Sequence, residues 1–366
     1  MKKLSAILLC LALVFTLAAC GGGSAPANTG SSAPANTGGS EPANTGGDEV
    51  FTVSIQFSFP DWQASTTLDL LDKITEESNG RLKFETYFSF SLFGPPDVVG
   101  ALQDGNLDMA GFMTSEYPGL FPLNGLLMGL PFLGFPDIVA ATEIYQELYK
   151  TNEAVKKEIA DAGIVHYVGW VLPPYNLHLV KEGASTEPDF TGLTLMTENS
   201  FMQKFINQNG GAAILSFPPD FFSNLNNGVA EGLVNHVNVM NSFGCIELIK
   251  SSIIMGDGGI YFYPLNYGFS QQFWNSLPSD LQAIFLKYAD AIGQAALDLD
   301  VHDMEENYQK LLDNGTKITH LDEAQVARWR EAFEPVRVEA MAELNAANPA
   351  AEDVYQVILD MIANYK

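Results

Sequence analysis

The chain predicts an α/β fold of two lobes, finished by long late helices. Three observations carry this. Between Phe51 and Met113, apolar segments of strand length alternate with helical ones. The same alternation returns between Leu193 and Val239. The body from about Val50 to Lys366 is also long for one hydrophobic core, which favours a division into two.

The elements follow in chain order. Lys2 and Lys3 precede an apolar run from Leu4 to Ala19, and the run ends at Cys20 with three glycines behind it. A charged start, a short apolar stretch and small residues before a cut describe a secretory leader over 1–19. The run falls short of the ~20 residues that cross a bilayer. Leu17-Ala18-Ala19-Cys20 resembles the bacterial lipobox, in which the thiol is acylated and the chain is cut just before it. The competing reading is an ordinary leader with an incidental Cys. From Cys20 to Asp48 the chain repeats Ser-Ala-Pro-Ala-Asn-Thr-Gly from Ser24, again from Ser32, and with Glu41 for Ala from Ser40. With no aromatic and almost no aliphatic side chain, this segment cannot bury enough apolar area to offset ordering entropy, so a disordered tether is expected.

Phe51–Phe57 alternates apolar and polar residues and reads as a strand. Asp61–Ser78 reads as a helix stopped by Asn79-Gly80, Leu82–Tyr87 as a strand, and Pro95–Asp104 as a helix stopped by Gly105. Leu107–Met113 is a buried parallel strand by its apolar content. This β-α-β-α-β order implies a parallel sheet with right-handed crossovers. Asp137–Ala162 reads as one helix, and Val165–Trp170 and Asn176–Lys181 as strands leaving lobe I. Leu193–Met196, a helix over Ser200–Asn209, a helix over Pro218–Asn227 and a strand over Gly232–Val239 repeat the rhythm in lobe II. Pro278-Ser279 suggests a helix start capped by Ser279 and running to about Leu312. Helices over Asp322–Asn345 and Ala351–Tyr365 finish the chain. Lobe I is thus expected over about 49–170, lobe II over about 180–275, and helices over 278–366 packing across both.

Composition narrows the function classes. The 366 residues carry 18 Lys+Arg against 44 Asp+Glu, a net charge of −26, which disfavours a nucleic-acid partner. The uncharged stretch Tyr117–Pro136 is interrupted by Pro118, Pro122 and Pro131, so it is not expected to span a membrane. Beyond the leader only Cys20 and Cys245 remain, which leaves no internal disulfide pair; Cys245 reads as a small buried hydrophobe. The five His have no metal-ligand spacing. Asp298, Asp300 and Asp303 lack the Gly and Glu of a calcium loop and read as a helix face. No nucleophile elbow or P-loop is present. Gly256-Asp257-Gly258-Gly259 reads as a tight turn at the edge of lobe II.

Local patterns then resemble one family. Ala101–Ala110 (ALQDGNLDMA), Gly129–Leu133 (GLPFL), Asp189–Leu195 (DFTGLTL), Phe217–Gly232 and Phe273–Pro278 (FWNSLP) resemble, in order, segments of the solute-binding proteins of TRAP (tripartite ATP-independent periplasmic) transporters. The resemblance covers about Phe51–Asn345. It implies a periplasmic-binding-protein-like fold with a hinge, closing on one small molecule and docking on the membrane subunits of a TRAP permease. It implies no cofactor and no chemistry on the ligand. A ligand sensor that hands its closed form to a signalling protein shares every residue discussed. An extracellular enzyme on the same scaffold would need a nucleophile–base pair or a metal site. With the lipid anchor, the expected location is the outer face of the cell membrane.

That family usually places an Arg after the strand matching Gly192–Leu195, where its fork pairs with a ligand carboxylate. Here the position is Met196, and no Arg lies between Arg81 and Arg328. A plain carboxylate clamp is therefore not expected, although Lys181 or a backbone amide could serve an acid. The candidate ligand-binding residues are Phe57, Glu116, Trp170, Tyr175, His178, Met196, Phe217, Asn235 and Asn238. The resemblance puts Asn235 at the family's ligand-facing Asn and Phe217 at its apolar wall. For each aromatic the competing reading is core packing, for the Asn residues a strand-end turn, and for Glu116 an exposed loop. A carboxylate facing aromatics with no Arg opposite suits an amine or a hydroxyl-rich neutral ligand.

Overall fold

The alternation in Phe51–Gln56 (β1) buries Val53 and Ile55 completely and leaves Thr52 outside. This strand starts a computed structural model that describes residues 49–365. The leader, the repeat tether and Cys20 lie outside those residues. Helix α1 (Asp61–Glu77) ends where Asn79 and Gly80 take left-handed backbone, as the Asn-Gly pair predicts. β2 (Leu82–Tyr87) follows. The helix expected over Pro95–Asp104 is a tight 3₁₀ turn, Pro95–Asp97, continued by α2 (Val98–Gln103). β3 (Met109–Met113) is buried along its whole length.

The single helix expected over 137–162 is two. α3 (Ile138–Thr151) stops at Asn152, which takes extended backbone, and its side chain accepts from the amides of Ala154 and Val155 to start α4 (Glu153–Asp161). A side chain that caps the next helix competes with continuation of the first. β4 (Ile164–Val171) completes this part.

β5 (Asn176–Leu179), β6 (Thr194–Met196), α5 (Ser200–Gln208), β7 (Ala212–Ile214), α6 (Pro218–Asn226) and β8 (Gly232–Asn235) build the second part. The strand expected over Gly232–Val239 ends at Asn235. His236 Nδ1 then accepts from the Val239 amide and opens a helix, α7 (Val237–Ser242). β9 (Ser251–Ile254), β10 (Pro264–Ser270) and α8 (Gln271–Ser276) come next. α9 (Ser279–Asp313) runs 35 residues, and Ser279 does not cap it: Pro278 holds the cap position without a side-chain bond. β11 (Lys317–His320), α10 (Glu323–Ala347) and α11 (Ala351–Asn364) finish the chain, α10 starting with a capping box of Asp322 and Gln325.

Two sheets result. The first has the order β2-β1-β3-β10-β4, and the second β11-β9-β5-β8-β6-β7. β1, β2 and β3 are parallel, as the β-α-β-α-β order requires, and so are β6, β7 and β8. β10 enters the first sheet antiparallel to both β3 and β4, although it lies within the range assigned to lobe II. The chain therefore crosses between the sheets three times, through 172–175, through 255–263 and through α8 and α9 between β10 and β11, and the first two crossings pair where Tyr175 bridges Tyr261. Gly256–Gly259 lies in the second crossing rather than at an outer edge. A Cβ on Gly258 would sit 2.0 Å from the Phe135 carbonyl, which only glycine tolerates. α9 packs on α1 and β4 of the first sheet and on α7 beside the second. Its Asp300 accepts from Trp170 Nε1 at 2.9 Å and from Asn238 Nδ2 at 3.2 Å, so one helix ties both sides.

Candidate functional site

The carboxyl ends of four parallel strands converge between the sheets, the usual ligand position in open α/β folds. Ser58 and Phe59 follow β1, Met113 ends β3, Glu198 follows β6, and Asn235 and His236 end β8. With the crossover residues Leu172 and Tyr175 and the start of α6 at Pro218, they line a cavity of about 20 Å³. That is room for about one water, so a solute enters only when the lobes part.

The aromatic wall residues are Phe59, Phe90, Tyr175, His236 and Phe243. Behind Tyr175 pack Tyr261, stacked on it at 4.5 Å, and Tyr263, 5.1 Å from Tyr261 and 5.4 Å from Tyr175. His236 lies edge-on to Tyr175 at 5.1 Å. Because His236 Nδ1 accepts from the Val239 amide, its proton sits on Nε2, and burial lowers its pKa to about 3. His178 is likewise neutral, lowered to about 3 by burial. It bridges Ser252 Oγ at 2.8 Å and the Asn235 carbonyl at 3.2 Å. It thus holds β8 to its neighbours and positions Asn235. The Asn235 side chain accepts from the His236 amide through Oδ1 and directs Nδ2 at Glu198 Oε1, 3.4 Å away.

Two carboxyls dominate the electrostatics. Glu116 sits in the single turn Thr114–Glu116 after β3, and Glu198 between β6 and α5. Burial raises Glu198 to about 8. Burial, and then the charge of Glu198, lift Glu116 well above the usual carboxylate range. Glu116 Oε1 and Glu198 Oε2 are sealed from solvent and have no hydrogen-bond partner. Tyr263 Oη lies near Asn199 without forming a well-aligned hydrogen bond. Native proteins satisfy nearly all such groups, so three orphans in one place mark a site with an outstanding demand for donors.

The candidate residues divide. Tyr175 and Asn235 line the cavity, and Glu116 reaches its charge cluster. Phe57 and Trp170 face a neighbouring cavity with Tyr267, Asp300 and Asp303, separated from the first by Phe59. Asn238 is a fastening between α7 and α9, donating to the Asp300 carbonyl at 2.9 Å and accepting from Asn307. Met196 is fully buried in the apolar core around Phe221 and Leu233. Phe217 is half-buried at the start of α6, where the neighbouring Pro218 lines the cavity. Lys181 is exposed at the end of β5, outside the lining. Glu198, Tyr261 and Tyr263 were not among the candidates. The signal for Glu198 was its place one residue before Asn199, whose N-cap marks a strand-to-helix junction.

Other features lead elsewhere. Among the described residues His302, Asp303 and Glu306 form one carboxylate–imidazole cluster, on successive turns of α9. Cys245 is unpaired and buried, its thiol raised to about 12 by burial. No described helix is long and apolar enough to cross a membrane.

The profile for bacterial extracellular solute-binding proteins of family 7 matches residues 59–344. A solute-binding protein of Albidiferax ferrireducens is 22% identical over 268 residues, 71% of this chain and 75% of the relative. A TRAP solute-binding protein from a marine metagenome, crystallised with 3-hydroxybenzoate, superposes with a TM-score of 0.78 at 22% identity, covering 87% of this chain and all of that one (100%). One from Rhodoferax ferrireducens with copurified benzoate gives 0.77 at 18% identity, over 86% and 98% of the two chains. One from Chromohalobacter salexigens with bound D-glucuronate gives 0.75 at 18%, over 84% and 99%.

Proposed function

Because this chain belongs to the bacterial extracellular solute-binding proteins of family 7, we propose that it captures one small solute by closing its two lobes and delivers it to a TRAP-type permease. The observation that carries this reading is the enclosed cavity, whose walls come from both sheets and from the crossover between them. A ligand that touches both lobes binds the closed form better than the open one and shifts the population accordingly. The closed surface is then what the permease recognises. Acylation of Cys20 would hold the receptor at the outer face of the membrane, with 20–48 as a spacer. No step of this cycle alters the solute.

Small-angle scattering with and without a small-molecule extract of cells tests the reading. A smaller radius of gyration on addition of the extract, with the bound compound recovered unchanged by native mass spectrometry, supports it. Profiles that stay the same, or conversion of the compound, overturn it.

A further inference from the structure

We propose that the solute is a small organic cation bearing N–H donors, an ammonium or amidinium group, held between Glu116 and Glu198 against the crossover tyrosines. The proposal rests on the receptor reading and assigns its ligand class.

Sign of charge comes first. Glu198 of the second sheet lines the cavity, Glu116 after β3 of the first sheet lies near enough to feel its charge, and among the residues lining the cavity there is no Lys or Arg. An anion placed there would face two acids and no counter-charge. A cation would face Glu198, with Glu116 beside it, and the ring of Tyr175, behind which Tyr261 and Tyr263 pack. Tyrosine faces attract cations, more strongly once water is excluded. The rings of Tyr175, Tyr261 and Tyr263 lie within 5.4 Å of one another and are almost wholly buried.

Hydrogen-bonding capacity then distinguishes kinds of cation. The orphaned atoms are Glu116 Oε1, Glu198 Oε2 and Tyr263 Oη, two of them acceptors only when ionised. A quaternary ammonium has no N–H to offer them. A primary ammonium has three donors and an amidinium four. Charge-assisted bonds of this kind are the strong ones, and leaving such acceptors bare in a buried site is costly. A neutral polyol could donate to the same atoms but would leave the two acids uncompensated.

The arrangement also explains why closure would wait for the ligand. Glu116 travels with the first sheet and Glu198 with the second, so closing brings two acids together while stripping their water. Burial raises both carboxyls, and the charge of Glu198 adds to the rise in Glu116. A cation between them removes the repulsion that it then exploits as attraction.

Thermal shift at pH 8 tests the class. The probes are small primary amines, amidines and guanidines, quaternary ammonium compounds, neutral polyols, and mono- and dicarboxylates. Stabilisation by one or more N–H cations, at least 10-fold weaker in Glu116→Gln and in Glu198→Gln, supports the proposal. Both variants are near-isosteric, and their unliganded melting establishes that they fold. Loss of affinity in the wild type as pH falls from 8 towards 5, with the acids taking up protons, is a second supporting readout. Stabilisation by polyols, quaternary compounds or carboxylates alone overturns the class, as does a panel in which no amine or amidine acts. If scattering still shows closure with cell extract, the receptor reading survives that failure; if it shows none, both fall.

Discussion

Replacing Glu198 by Gln is expected to stabilise the unliganded protein above neutral pH. The side chain is native, yet its burial is costly. Burial lifts the carboxyl from 4.5 to about 8, and the one hydrogen bond that opposes the shift, from Asn235, is a long 3.4 Å. A carboxyl with a higher pKa in the folded than in the unfolded state contributes stability that is fully present below about 4.5. That stability is lost as pH rises towards about 8. At about 1.4 kcal/mol for each tenfold change, the full span is roughly 5 kcal/mol, an upper bound. Opening of the cleft rehydrates the carboxylate and relieves part of this, so about 2 kcal/mol is expected to remain. For a body of this size about 1 kcal/mol moves Tm by roughly 2 °C. The Gln variant should therefore melt about 4 °C above the wild type at high pH and together with it near pH 4.5, by calorimetry on ligand-free protein. Parallel pH profiles for the two proteins would refute the reasoning, because they would mean that Glu198 is not desolvated. If Glu198 serves the proposed site, an acid that weakens its own fold is the expected trade between stability and activity.

Three further outcomes follow from other residues. Glu158 accepts from the amides of Leu123 and Asn124 and from the Asn124 and Asn348 side chains, all at 3.0 Å, so it anchors the Pro-rich turn over 117–136. Glu158→Ala orphans buried donors and should cost roughly 3–5 kcal/mol, read as a lower urea midpoint with unchanged slope. Asp300 is raised to about 7 by burial, against the pull of its bonds from Trp170 and Asn238. The Trp170 indole N–H resonance should titrate near that pH and stay flat in Asp300→Asn; a flat wild-type signal would show that Asp300 ionises elsewhere. Cys20→Ser should move the protein from the membrane to the soluble fraction and abolish incorporation of labelled palmitate, and retention on the membrane would dismiss the lipid anchor.

Local signals account for the elements that local physics decides. β2 is found to its last residue because Asn79-Gly80 ends the helix before it and a polar alternation runs through it. α9 is found because Pro278 forbids an earlier start. Elements decided by tertiary contact are not legible in this way. Val237 and Val239 are β-branched and suggest strand, but a His236 cap converts the segment to helix. β9, β10 and β11 escape notice because short apolar runs have no period of their own, and β10 belongs to the first sheet only through pairing with β3 and β4. The site is legible to the same extent. Glu116, Tyr175 and Asn235 lie at strand ends or crossover positions that the topology singles out. Nothing near Glu198 in the chain announces an acid without a counter-charge, since that property exists only when the two sheets meet. Trp170 and Asn238 look like pocket residues by type, yet Asp300, far along the chain, occupies both.

The paired crossing at Tyr175 and Tyr261 would be the axle of any swing between the sheets, and its Tyr175 is also a wall of the cavity. Points near an axle move least when a jaw swings, whereas the jaw tips move most. The aromatic floor would then stay still beneath the guest while the acids part, so departure becomes a matter of sequence: the arms let go first, and the floor last. A permease that pries the jaws apart would find its cargo still parked at the pivot, facing the opening.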